Sequence, residues 1–77
     1  MSVQVKYFAS LRERVGRSHD EVAFAHPMTV QDIWNTATQN TPIPEQLLAA
    51  VNQEYTHFDK QVADGDEVAF FPPVTGG

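Results

Sequence analysis

The residues with the clearest chemical potential are the last two. Gly76 and Gly77 close the run FFPPVTGG, behind Phe71, Pro72, Pro73, Val74 and Thr75. Glycine carries no side chain, so this end can pass a narrow channel and take backbone angles closed to other residues, at a cost in ordering entropy. The terminal carboxylate therefore arrives without steric cover. A carboxylate is a poor electrophile, but joined to an adenylate it becomes a mixed anhydride that a sulfur nucleophile can open, leaving a thiocarboxylate. A chain with no cysteine can carry sulfur in this way. The plain alternative for a Gly-Gly end is an unmodified, frayed terminus.

Pro72 and Pro73 bear on how that end is presented. Proline has no N–H for a sheet ladder and favours extended backbone, so the pair stops a strand and projects the last four residues away from the domain. From Phe71 to Gly77 an extended tail reaches about 20 Å at roughly 3.3 Å per residue. That length suits a deep pocket in another protein.

No second site competes with the tail. His19, His26 and His57 show no helical i, i+4 pairing with one another or with a carboxylate, and read as surface or structural residues. Asp59, Asp64, Asp66 and Glu67 lack the ligand repeat of a calcium loop and form an acidic rim, solvated or read by a basic partner. No metal site is expected. Ser10 and Ser18 sit in no nucleophile turn, and the glycines form no phosphate cradle. The chain alone is not expected to be catalytic.

With 77 residues there is room for one core, and residues 1–77 are expected to form one domain with 72–77 as a projecting tail. The net charge of −5 disfavours nucleic acid and anionic membranes and suits a partner offering a basic groove. No stretch approaches the ~20 apolar residues of a membrane span, and the N-terminus lacks the apolar run of a signal peptide, so a cytoplasmic protein is expected.

The elements that would hold the tail can be read from hydrophobic period. Val3, Val5 and Tyr7 alternate with Gln4 and Lys6, predicting a first strand. Phe8, Leu11 and Val15 fall at helical spacing and stop at Gly16, predicting a short helix or turn. Val22 and Phe24 mark a second strand that ends by Pro27 and can form a hairpin with the first. Thr29 caps a main helix with Asp32 in its first turn and Val30, Ile33, Trp34 and Ala37 as its apolar stripe. Met28 is placed to staple onto Ile33.

Beyond the breakers Asn40, Pro42 and Pro44, the run LLAAVNQ predicts a third strand, and Tyr55 to Phe58 a further extended piece. After a turn at Asp64, Gly65 and Asp66, a last strand places Val68 and Phe70 on one face and Ala69 and Phe71 on the other. Phe71 then either folds back on its own sheet or anchors a partner. The expected fold is α+β: a β-grasp, ubiquitin-like domain with a mixed sheet of four to five strands, one main helix packed across it, and a flexible Gly-Gly tail.

YFASLRERVG, LLAAVNQ and DGDEVAFFPPVTGG together resemble the small, sulfur-carrier subunit of molybdopterin synthase. Gly-Gly alone is shared with ubiquitin and the thiamine sulfur carrier, so FFPPVTGG is the specific part, whereas the stretch from Asn35 to Gln46 is not diagnostic. The resemblance implies that an ATP-dependent, E1-like activating enzyme adenylates Gly77 and that a sulfur donor converts it to the thiocarboxylate. It further implies delivery of that sulfur to cyclic pyranopterin monophosphate within the synthase. By the same resemblance Phe71, Pro72, Pro73, Val74, Thr75 and Gly76 bind the large subunit, which supplies the catalytic groups. It implies as well that no cofactor is held permanently and that the assembly is a heterotetramer of two small and two large subunits. Alternatives are a carrier for another pathway (thiamine, an amino acid, tRNA thiolation or a tungsten cofactor), conjugation of the tail to a lysine, or a β-grasp binding module whose end is never modified.

Overall fold

The computed structural model describes residues 1–73, so the expectations for Val74, Thr75, Gly76 and Gly77 lie outside the described residues. The first strand, β1 (Ser2–Tyr7), buries Val3, Val5 and Tyr7 and exposes Gln4 and Lys6, the alternation its sequence demands. A short helix, α1 (Ser10–Val15), follows and ends where Gly16 takes φ 87°, its N–H donating to the Arg12 carbonyl at 2.9 Å. Glycine holds this left-handed position without a Cβ penalty. The chain returns as β2 (His19–Ala23), antiparallel to β1 with Val3 opposite Val22.

The main helix α2 (Val30–Thr38) starts on a reciprocal cap. Thr29 Oγ1 accepts the Asp32 N–H at 3.1 Å, and Asp32 Oδ2 accepts the Thr29 N–H at 2.9 Å. Two otherwise orphaned helix donors are thereby satisfied. Val30, Ile33 and Trp34 face the sheet and are buried, with Ala37 packed at the edge of the same core. Met28 is buried in the same core cluster as Ile33.

Two-residue strands β3 (Met28–Thr29) and β6 (Gln61–Val62) pair antiparallel in a small second sheet that the sequence did not foretell. Elements this short have no period to read. The other strands are β4 (Leu48–Val51), β5 (Glu54–Thr56) and β7 (Glu67–Phe71). The main sheet runs in the order β2-β1-β7-β4-β5, with β1 and β7 parallel and every other pair antiparallel. It is the mixed five-stranded sheet under one main helix that defines a β-grasp fold.

The last strand therefore sits at the centre of the sheet. Phe70 is fully buried there, its ring 5.0 Å from Trp34, 5.9 Å from Phe58 and 6.3 Å from Tyr7, centroid to centroid. The Trp34 contact is edge-on, which suits the ring quadrupoles, and Trp34 Nε1 donates to the Thr41 carbonyl at 2.7 Å so that no indole donor is stranded. At the other end of β7, Asn52 closes a clamp. Its Oδ1 accepts the Glu67 N–H at 3.0 Å and its Nδ2 donates to Asp66 Oδ1 at 3.0 Å, while Asp66 Oδ2 accepts the Ala63 N–H at 2.8 Å. The β4–β5 turn is thus tied to the point where β7 begins.

Removing the cap hydroxyl with Thr29→Ala should lower the unfolding free energy by about 1 kcal/mol, read as a lower urea midpoint at unchanged slope. Phe70→Ala should cost about 3–5 kcal/mol, enough to unfold much of the population.

Candidate functional site: the root of the C-terminal tail

The pleat that buries Phe70 turns Phe71 to the opposite face of the sheet. There it is half-buried, opposite Leu48 on β4, with its ring 5.5 Å from that of Tyr55 on β5 at an angle of 37°. Phe71 leans on its own sheet and is only partly covered. Leu48 is 39% exposed and Tyr55 79% exposed. Ala69, Ala50 and Tyr55 lie side by side across three strands, so the β7–β4–β5 side of this face carries no charge there, while Lys6 borders it from β1 opposite Ala69. A hollow of about 430 Å³ lies beside it, lined by Leu48, Ala49, Tyr55, Thr56 and His57.

Phe8 extends this apolar patch. Helical spacing groups it with Leu11 and Val15, but α1 begins only at Ser10. The Phe8 N–H instead donates to the Phe70 carbonyl at 3.1 Å, prolonging the β1–β7 ladder, and the side chain is 46% exposed. The chain then leaves the sheet through Pro72 and Pro73, both half-buried and outside any strand. Of the expected site residues, the structure brings Phe71, Pro72 and Pro73 to one end of the sheet with Phe8, Leu48 and Tyr55, which sequence reasoning did not join to them.

The acidic rim lies at the other end of β7. Glu67 Oε2 meets Lys6 Nζ at 3.0 Å and Asp66 is spent on the Asn52 clamp, so these two carboxylates have structural work. Among the described residues no three His, Cys, Asp or Glu gather as metal ligands, and no helix is long and apolar enough to cross a membrane.

Two further features border the tail root. The buried Tyr7 ring reaches the edge of the core, where its hydroxyl donates to Asp20 Oδ2 at 2.9 Å. Arg17 binds the same oxygen through Nε at 2.8 Å and gives an N–H to the Ala37 carbonyl at 2.9 Å, joining β2 to the end of α2. Burial first, then the hydrogen bond and charge of Asp20, push the Tyr7 phenol well above its ordinary value. The second feature is Ala9, whose φ 56° and ψ −138° belong to glycine's range. It occupies the corner of a tight turn closed by the Leu11 N–H on the Phe8 carbonyl at 3.2 Å.

Comparison with known proteins gives this geometry its family. Residues 5–77 match the model of the ThiS family. The chain belongs to the ThiS family. Among curated ThiS-like relatives, the molybdopterin synthase sulfur carrier subunit of Escherichia coli is 46% identical, the alignment covering 97% of this chain and 99% of the relative. The protein of the same description from Haemophilus influenzae is 37% identical over the same shares. The crystal structure of small archaeal modifier protein 1 from Haloferax volcanii superposes with a TM-score of 0.77 at 26% identity, covering 95% of this chain and 98% of that one.

The Tyr7 shift has a defined pH signature. A phenol whose folded value is raised stabilises the fold fully below the unfolded tyrosine value of 10.0, and that contribution is lost as pH climbs from there toward the folded value. Tyr7→Phe should lower stability at pH 8 by about 1 kcal/mol for the lost hydrogen bond. It should also flatten the fall in urea midpoint between pH 9 and pH 11, measured against the parent chain.

Proposed function

We propose that this chain is the sulfur carrier of a molybdopterin synthase, that Gly77 bears the sulfur as a thiocarboxylate, and that the outer sheet face around Phe71 docks on the large subunit. The observation that carries the reading is the apolar patch of Phe8, Leu48, Tyr55 and Phe71 at the point where a Gly-Gly tail departs. Membership of the ThiS family and the carrier-subunit relatives support it.

The chemistry divides between partners. An E1-like activating enzyme uses ATP to form the Gly77 acyl-adenylate, releasing pyrophosphate. A sulfur donor then displaces AMP and leaves the thiocarboxylate. In the synthase, the tail of Pro72, Pro73, Val74, Thr75 and Gly76 threads the large subunit and holds the sulfur against cyclic pyranopterin monophosphate. Transfer of the sulfur and hydrolysis return the carboxylate of Gly77. The small chain contributes reach, a slim terminus and a docking face, while the large subunit contributes acid, base and anion-binding groups. ATP is consumed by the activating enzyme, and this chain needs no resident cofactor. The assembly pairs two small with two large subunits, in the cytoplasm.

Exposed apolar side chains at a tail root are the kind of anchors that concentrate binding energy. Phe71→Ala should therefore weaken binding to the large subunit by about tenfold or more in isothermal titration. Because Phe71 is only half-buried, the same change should cost far less stability than Phe70→Ala.

The deciding experiment incubates the chain with ATP, an activating enzyme and a sulfur donor, alkylates the products and weighs the intact chain, with a version lacking Gly77 as control. Alkylation on Gly77 alone is the expected result. It is needed because oxygen-for-sulfur exchange nearly matches the mass gained when Met1 or Met28 is oxidised. An unmodified chain, under conditions that modify another carrier, would leave an unmodified binding module in its place. The likeness to an archaeal modifier protein favours one second fate for the same activated terminus, an isopeptide bond to a lysine. A mass increase on an acceptor protein would reveal it.

A further inference from the structure

Ala9 is out of place by every local rule. Its φ of 56° and ψ of −138° lie in the first corner position of a mirror-image turn, where glycine dominates because an L side chain crowds its own backbone. Among the described residues, the other positive-φ positions outside glycine are Gln39, Asn40, Gln46, Asn52 and Gln53, all amides. Asparagine tolerates the left-handed region best among these, and at Gln39 the ψ of 49° is that of the ordinary left-handed well. Alanine offers no such compensation. Nor does packing hold it there: the Ala9 side chain is exposed, and Ala9 caps α1 without any side-chain hydrogen bond.

The free chain would therefore fold better with glycine at this position. Strain of this kind is characteristically kept where a site needs it. Ala9 stands next to Phe8, whose N–H is bound to the Phe70 carbonyl, one residue before Phe71. Through its carbonyl, which accepts the Arg12 N–H at 3.1 Å, it also starts α1. Ala9 is thus exposed and follows directly on the residue that ends the β1–β7 ladder beside Phe71.

We infer that the Ala9 methyl is a contact made only in the complex: it is held in a disfavoured conformation so that it meets an apolar surface of the large subunit closing over Phe8 and Phe71. The inference rests on the docking face proposed above. Its signature is a pair of effects with opposite signs, which a purely structural residue does not produce.

Two versions of the chain test it against the purified large subunit. Ala9→Gly relieves the corner and removes the methyl. A chemically synthesised chain with the D-enantiomer of alanine at position 9 also relieves the corner but points its methyl elsewhere. Both should raise the urea midpoint, by roughly 0.5 M. Both should also weaken binding, by about fourfold, the worth of one buried methyl-sized group. A midpoint that falls in Ala9→Gly removes the premise of strain. Unchanged affinity in Ala9→Gly overturns the contact, and parental affinity in the D-alanine chain alone assigns the effect to stiffness of the turn instead and equally overturns it. If the parent chain itself fails to bind the large subunit, the docking face is wrong and the inference falls with it, an outcome distinct from a variant that binds as well as its parent.

Discussion

The parallel pairing of β1 with β7 is the interaction on which the rest of this molecule depends. It brings the last strand to the centre of the sheet, between two hairpins that have no direct pairing with each other. Phe70 locks it there among Tyr7, Trp34 and Phe58. Because side chains alternate across a strand, fixing Phe70 inward leaves Phe71 no choice but the outer face. The packing of one ring in the core thereby sets the direction of the next residue at the surface and the point from which the tail departs. A slip of one position would bury Phe71 and expose Phe70, and the surrounding aromatic cluster forbids it.

The same alternation explains why so much was legible beforehand. Val3, Val5 and Tyr7, and later Val68 and Phe70, write a period of two that admits one register, and Thr29 with Asp32 announces the helix start by chemistry rather than by hydropathy. The features that escaped reading lacked either length or locality. The β3–β6 ladder is two residues on each side, and half of it, Met28 and Thr29, also serves the helix entry. Arg17, Asp20 and Tyr7 converge from β1, β2 and the turn between, a meeting no single window of sequence reveals.

At the site itself the balance is similar. Two glycines after two prolines are suggestive from residue types alone, but Gly76 and Gly77 lie outside the described residues. The surface around the tail root was not legible in that way. Phe8 fits a helical spacing as well as a strand, and only the ladder bond to Phe70 decides between them. Tyr55 and Leu48 join Phe71 because β4, β5 and β7 are neighbours, which is a property of topology. Ala9 carried no signal at all, for alanine is ordinary until its backbone angles are known.

Placing the final strand at the centre also shapes how the molecule comes together. Before β7 arrives, the chain has two separate hairpins, β1–β2 and β4–β5, and an isolated hairpin is marginal in water. Sheet completion therefore waits on contacts between the two ends of the chain, the non-local kind that slows folding to milliseconds or seconds. Closure of the sheet and formation of its outer face become one event, since the insertion of β7 also sets Phe71 beside Leu48 and Tyr55. An unfolded copy owns the same Phe8, Leu48, Tyr55 and Phe71, yet has no surface on which they meet.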